Sequence, residues 1–297
     1  MAYSARIIAD SISEAGNRLT TMEVSFPRCV LAEFNTHRMF SRNSASSRAI
    51  PVKKQIERVM NDPFIPIYWG VNKPGMSAES ELEGTERIRA EAEWLTARDR
   101  AVEAVERLLG FNLHKQIVNR LLEPFMWQTV LVTATEWRNF FALRANAQAQ
   151  PEIRKIAELM QKECAASVPK KLKKGEWHLP LIQEDELEWA SLNQGEAIKV
   201  SVGRCARVSY LTHDGVRDHD KDIELYERLV SSGHMSPLEH VATPAWHLEG
   251  GWNEYGSGWE QPQPYKVCEW HGNFHGWRQY RKTIKHEHDF SLVANAT

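Results

Sequence analysis

Apolar and polar positions alternate in two segments near the start of the chain. Residues 4–9 and 20–26 follow a period of two, and Thr20-Thr21-Met22-Glu23-Val24-Ser25-Phe26 stops at Pro27, as strands do. Further along the period lengthens to that of a helix. Residues 28–35 begin a helix that leads into a polar loop closed by Pro51, and 52–61 continue in helical character. Pro66, Gly70, Pro74 and Gly75 mark 66–78 as a loop. Residues 79–109 read as a long charge-laced helix with Leu95, Val102, Val105 and Leu108 on one side. Asn112 caps a predicted helix that runs to Leu122, with Pro124 closing it. The spacing of Trp127, Val130, Leu131, Ala134, Trp137 and Phe141 predicts an amphipathic helix over 125–147. Pro151 at a first helical position, followed by Glu152, opens a helix over 151–165. Residues 168–197 read as loop, 198–210 as a strand, 219–232 as a helix ended by Gly233, and 240–249 as a strand. With no repeat and no linker, the pattern describes one compact α+β domain over 1–297: an antiparallel sheet packed with long helices.

Composition narrows the class. Hydrophobic residues make up 42% and charged residues 26% of 297, the balance of a globular chain with a real core. A formal net charge of −2 gives no general attraction to nucleic acid or to an anionic membrane, so any anion site is local. No apolar run is long enough to span a bilayer, and the N-terminus shows no signal-peptide core, which leads us to expect a cytoplasmic protein. Cys29, Cys164, Cys205 and Cys268 are scattered and are expected to be reduced thiols. Five of the eleven tryptophans fall after residue 245, so 250–297 reads as an aromatic, histidine-rich extension. Cys268, His271 and His275, with His286 or His288, have a spacing open to zinc, but incidental histidines in an aromatic packing layer are the preferred account.

The chemistry concentrates in three places. Residues 36–48 hold His37, Arg38, Arg42 and Arg48 with Ser41, Ser44, Ser46 and Ser47, and little to bury. Such a segment is ordered by polar contacts, and a phosphorylated ligand supplies them: guanidinium forks and hydroxyls bind phosphate oxygens. Arg120 and Arg144 lie beside apolar positions that should hold them near a core, and small alanines flank Arg144. The stretch 232–240, Ser-Gly-His-Met-Ser-Pro-Leu-Glu-His, sits at a helix–strand junction. No cysteine lies in an activating motif, and neither a nucleophile elbow, a dinucleotide-binding turn nor a P-loop is present.

Together these segments resemble the flavin-dependent thymidylate synthases. That family's signature, Arg-His-Arg, seven residues, then Ser, appears as Thr36-His37-Arg38 with Ser46 and then Arg48. Its helical block appears as Arg120-Leu121-Leu122-Glu123-Pro124, Asn139-Phe140-Phe141-Ala142-Leu143-Arg144 and Ala149-Gln150-Pro151-Glu152-Ile153. Its opening block appears as Ala206-Arg207-Val208-Ser209 and as Gly233 to His240, close to the C-terminus, so the order resembles a circular permutation. The resemblance covers roughly 20–165 and 198–249.

The resemblance implies reductive methylation of dUMP at C5 with 5,10-methylenetetrahydrofolate as carbon donor, NADPH as reductant and FAD as carrier. It also implies a homotetramer with sites between subunits. Arg144 and Arg120 take the catalytic positions. Ser44, Ser46, Arg48, Arg120, Arg144 and Glu33 take the substrate side, with Ser46, Arg48 and Arg144 on the phosphate. Thr36, His37, Arg38, Asn139, Gln148, Ser209, His234, Ser236 and Glu239 take the flavin and folate side. No protein nucleophile is needed, because the reduced flavin supplies the electrons. Thr36 stands where the signature has arginine, Glu33 where glutamine is usual, Gln148 where histidine is usual, and Thr133 and Thr135 where FAD contacts are usual. These departures fall mainly on the flavin side. They leave open a hydroxymethyl product, a dCMP substrate, or a nucleotide-binding protein without catalysis.

Overall fold

Two ten-residue strands, β1 (Ser4–Ser13) and β2 (Arg18–Pro27), form the hairpin expected from the alternating pattern. Gly16 at φ 83 supplies the left-handed residue its turn requires. The structure is a computed structural model that describes residues 3–75, 77–208, 217–245, 272–285 and 287–288. Three further strands, β3 (Ser41–Ser44), β4 (Trp127–Ala134) and β5 (Lys170–Leu172), complete a sheet in the order β3-β4-β2-β1-β5. Its pairs are antiparallel except β1 with β5. The fold is α+β, as expected.

Between β2 and β5 lie short α1 (Leu31–Phe34), α2 (Val52–Asn61), the long α3 (Gly84–Gly110), α4 (Lys115–Val118), α5 (Arg138–Arg144) and α6 (Pro151–Ala166). Pro151 opens α6 as expected, and the Gln150 side chain caps it by accepting from the Ile153 amide at 3.1 Å. One face of the sheet, Met22, Val24 and Phe26 with Val130, Val132 and Ala134, packs against Phe140 of α5 and Ile153, Ile156 and Met160 of α6. Burying each of these side chains contributes about 1.5–3 kcal/mol. Phe34 and Phe40 close the same core, ring against ring at 5.6 Å.

The opposite face is covered by the later part of the chain. There α7 (Leu187–Leu192), α8 (Gln194–Arg207) and α9 (His219–Ser231) precede a second small sheet of β6 (Ala242–Pro244) and β7 (Trp277–Gln279). Leu131 packs there on Leu181, Cys205 and Val208. α8 and α9 approach at Gly203, where a Cβ would lie 2.3 Å from the Asp222 carbonyl oxygen. Arg204 is buried between them, bonding Glu186 at 2.6 and 2.7 Å and Asp222 at 3.0 Å. Gly233 at φ 72 ends α9, as expected.

Four expectations are corrected. The helix predicted over 125–147 is strand β4 followed by α5. Residues 129–133, Thr-Val-Leu-Val-Thr, are buried on both faces of a central strand, where apolar runs no longer alternate. Of the strand predicted over 198–210, residues 198–207 are the C-terminal part of α8, with Ile198, Val202 and Cys205 at helical spacing on buried faces, and 209–210 lie outside the described residues. The start of that helix, with α7 and β5, also falls within the predicted loop 168–197. The helix from Asn112 to Leu122 is a short α4 followed by 3-10 turns through Phe125. Asn112 is not its cap but a left-handed residue at φ 58, and His114 caps α4 instead. Of the predicted strand 240–249, residues 242–244 form β6, and 246–249 lie outside the described residues.

Candidate functional site

Residues 36–48 are not an unburied loop. Phe40 sits in the core at 4% exposure, and 41–44 form the edge strand β3 on β4, with Ser41 and Asn43 buried. What orders the stretch before β3 is the chain's own polar groups. Arg42 donates from Nη1 to the carbonyl oxygens of Phe34 and His37, both at 3.3 Å. From the far side of this loop, Arg144 at the end of α5 pairs with the Glu33 carboxylate and donates from Nε to Nε2 of His37 at 3.1 Å. An imidazole that accepts at Nε2 is neutral there. Burial first, then the cations Arg144 and Arg42, hold the His37 pKa below its ordinary value. Glu33, His37 and Arg144, three of the predicted site residues, therefore form one cluster, although 111 positions separate Glu33 from Arg144.

A second junction joins β3 to the 232–240 segment. Ser41 Oγ lies 2.9 Å from Oε2 of Glu239, and Arg281 donates to Oε1 of the same carboxylate at 2.6 Å. Glu239 is thus satisfied within the chain. Ser46 and Arg48 lie in the turn after β3, where the Ser46 carbonyl accepts from the Ala49 amide at 3.0 Å. That turn is braced from the 119–125 segment: Asn119 donates to the carbonyls of Ser47 and Ile50 at 2.7 and 3.0 Å. Arg120 follows Asn119 but is exposed, contrary to the expectation that apolar neighbours hold it near a core. It lines a groove of about 560 Å³ with Arg28, Leu31, Ala32, Asn35 and Glu123. α1 thus offers Ala32 and Asn35 to the groove and Glu33 to Arg144.

The remaining predicted residues are more open. Thr36, Arg38, Arg48, Asn139, Gln148, His234 and Ser236 are exposed, and Ser44 is half-buried on β3. Ser209 lies outside the described residues, as do Cys268, His271 and His286 of the zinc-like spacing. Among the described residues no group of three or more His, Cys, Asp or Glu is placed to hold a metal ion. No helix among them is long and apolar enough to cross a membrane. Cys29, Cys164 and Cys205 are free thiols.

Sequence reasoning missed a buried polar seam between the sheet and the C-terminal layer. Ser11 bonds His178 Nδ1 at 2.8 Å, and His178 Nε2 bonds Thr21 at 2.8 Å. Thr21 bonds Thr133 at 2.7 Å, and Thr133 bonds His240 Nδ1 at 2.7 Å. Burial drives each imidazole pKa down to about 3, so both are neutral. Nε2 of His240 is buried and has no hydrogen-bond partner among the described residues. Thr133 is fully buried in this seam, and Thr135 accepts from the His275 amide at 2.9 Å. The only signal in the sequence was the polar Thr21 and Thr133 inside otherwise apolar strands.

Comparison with known proteins matches residues 17–170, just over half the chain, to the family of the thymidylate synthase complementing protein. No curated protein sequence matches. Among solved structures, the UMP/dUMP methylase PolB from Streptomyces cacaoi bound with 5-Br UMP is 17% identical with a TM-score of 0.44, covering 55% of this chain and 89% of that one. The same methylase bound with 5-Br dUMP is 16% identical with a TM-score of 0.42, covering 55% and 90%.

Proposed function

The chain belongs to the thymidylate synthase complementing family, that of the flavin-dependent thymidylate synthases, and from that premise we propose that it methylates dUMP at C5 to give dTMP. The observation that carries this reading is the convergence of Glu33, His37 and Arg144, from two segments far apart in the chain, into one polar cluster. A nucleoside monophosphate is a compact dianion. Arg144, Ser46, Arg48 and Arg120 are donors of the kind that hold it through charge-assisted bonds, each about 1.5–3 kcal/mol net. Arg144 projects from the end of a helix packed by Phe140 into the core, which fixes its origin.

The uncommitted donors also fit a flavin. Arg38 offers a guanidinium for a diphosphate, and Asn139 and Gln148 offer carboxamides suited to a ring edge of N–H and C=O groups. Ser236 is exposed, while Thr36 already donates to the Glu33 carbonyl at 2.7 Å and His234 Nδ1 bonds Ser232 Oγ at 2.9 Å. Thr135 and Glu239 are engaged within the chain, so they are withdrawn from that role. When bound, FAD supplies the reducing equivalents that originate from NADPH, and 5,10-methylenetetrahydrofolate supplies the carbon. The protein's share is to grip the phosphate, orient the ring and shed the C5 proton. Neutral His37, with Nε2 engaged by Arg144, positions that guanidinium rather than carrying a proton. Arg120 and Arg48 are exposed, which leaves both open to complete a site across a subunit boundary in the homotetramer proposed here. Location of the 206–209 and 233–240 blocks beyond the matched region is consistent with circular permutation.

The experiment is tritium release from C5-labelled dUMP with methylenetetrahydrofolate, NADPH and FAD, with mass analysis of the product. A methyl adduct is expected. Arg144→Ala should reduce dUMP affinity at least tenfold while leaving the melting temperature within a few degrees. Unchanged dUMP affinity in that variant rejects the site.

A further inference from the structure

We propose that the segment 272–281, which lies beyond the region matched to the family, is a positioning element that sets the backbone of the 37–41 loop. The segment is anchored in the core. Phe274 and Trp277, at 3% and 0% exposure, pack with Leu19, Leu172 and Ala242, and the Trp277 indole donates to the Asn17 carbonyl at 3.1 Å. Burying two large aromatics makes this anchor far too costly to displace for a ligand.

From that anchor the segment reaches the loop through a knot of amides. Asn273 Nδ2 donates to the Met39 carbonyl at 3.0 Å. Gln279 Nε2 donates to Ser41 Oγ at 2.9 Å and to Asn273 Oδ1 at 2.7 Å. Ser41 Oγ has one proton, and it lies 3.1 Å from Asn273 Oδ1 and 2.9 Å from Glu239 Oε2. Ser41 and Gln279 are 1% and 2% exposed, so the bond between them forms away from water, where leaving it unmade is expensive, whereas the Asn273 bond to the Met39 carbonyl lies at an exposed position. Two glycines make the arrangement possible. Gly276 at φ 72 leaves no room for a Cβ beside Asn17, and a Cβ on Gly272, at φ 74, would fall 1.9 Å from Gln279 Oε1.

The atoms held are the carbonyl of Met39 and the hydroxyl of Ser41. Met39 follows Arg38 directly and His37 by two residues. On its other side the loop is held by Arg42 and Arg144 through His37. The knot thus fixes the end of the loop from which Arg38 projects. Because this rests on the reading that Arg38 faces the flavin, FAD affinity tests the knot and dUMP affinity tests the site separately.

Asn273→Ala, Gln279→Ala and Gly272→Ala are compared with Trp277→Phe, a core change in the same segment that leaves the amides in place. FAD binding is followed by flavin fluorescence and dUMP binding by calorimetry, each beside a thermal melt. The three knot variants are expected to weaken FAD about tenfold, the order of one lost buried hydrogen bond, with dUMP affinity within twofold. Trp277→Phe is expected to lower the melting temperature without that split. FAD affinity unchanged in the knot variants, or falling in step with melting temperature in all four, overturns the proposal. Wild-type protein that binds dUMP but no FAD overturns the flavin reading and the knot's role with it, while leaving the nucleotide site standing.

Discussion

Acidification should loosen the C-terminal layer from the sheet before it disturbs the carboxylates. His178 and His240 are fully buried, and their pKa values lie near 3 when folded, against 6.5 for the free side chain. The sign follows from which state binds more protons. Below 6.5 the unfolded chain takes up protons that the folded seam refuses, so stability present above 6.5 is lost steadily as pH falls towards 3. At pH 5 each imidazole has forgone about 1.5 units, or about 2 kcal/mol, and the pair about 4 kcal/mol. That is a large share of a typical folding free energy. The structural cause is burial: in the closed seam a charged imidazolium loses its hydration, while the neutral ring is served by the hydroxyls of Ser11, Thr21 and Thr133. Glu186 titrates in a different window. Its hydrogen bonds from Arg204 hold its pKa near 2, so its contribution is lost between 4.5 and 2 and is intact at pH 5. Half-buried His37, whose pKa is also lowered by burial, likewise loses stability as pH falls below 6.5, and the variant below separates it from the seam. Urea unfolding at pH 7.5 and 5.0 should show the midpoint falling by more than about 1 M. His178→Asn with His240→Asn should start lower and lose most of the slope. Equal midpoints at the two pH values, or a full slope in the double variant, would refute the argument.

Arg204→Met should destabilise by about 3–5 kcal/mol in chemical denaturation, because Glu186 and Asp222 are left buried without their shared cation. A loss below 1 kcal/mol would mean the network is wet. Gly203→Ala should lower stability by at least about 1–3 kcal/mol in a thermal melt, since the added methyl meets the backbone of Asp222 rather than a side chain that can move.

The parts of the fold legible in the sequence were mostly those with one buried face. α3, α6 and α9 repeat because solvent writes part of each pattern, while β2, buried along nearly its whole length, was legible because Glu23 and Ser25 still alternate with Met22, Val24 and Phe26. β4 and α8 were misread for the opposite reason. When both faces are buried, polarity no longer reports direction, and Val130-Leu131-Val132 suits a strand and a helix equally. Site residues followed the same logic. His37 stood out in a dense polar segment and Arg144 as a charge beside apolar positions, and the structure brings them together. Asn273, Gln279 and the hydroxyls of Thr21 and Thr133 were invisible as partners, because a neutral amide or hydroxyl acquires its meaning only from what lies across from it.

Glu33 offers the sharpest reading of how the site treats an anion. Its carboxylate already occupies Arg144, with the two side chains about a third and a quarter exposed, so the pair is neither free in water nor sealed away. A phosphate dianion drawn to the same guanidinium must share it with, or take it from, that carboxylate. At an effective dielectric near 20 two like charges several ångströms apart repel by a few kcal/mol, and partial exposure reduces this to about 1 kcal/mol. Glu33→Gln keeps the shape and the hydrogen bond to Arg144 but removes the charge. It should therefore tighten dUMP about five- to tenfold by calorimetry, and the gain should shrink as salt is raised. Deoxyuridine, which has no phosphate, should bind both forms alike, and the gain should vanish in Glu33→Gln with Arg144→Ala. If Glu33→Gln binds dUMP no tighter than wild type, the carboxylate is not competing for Arg144, and its place beside that guanidinium serves the base rather than the phosphate.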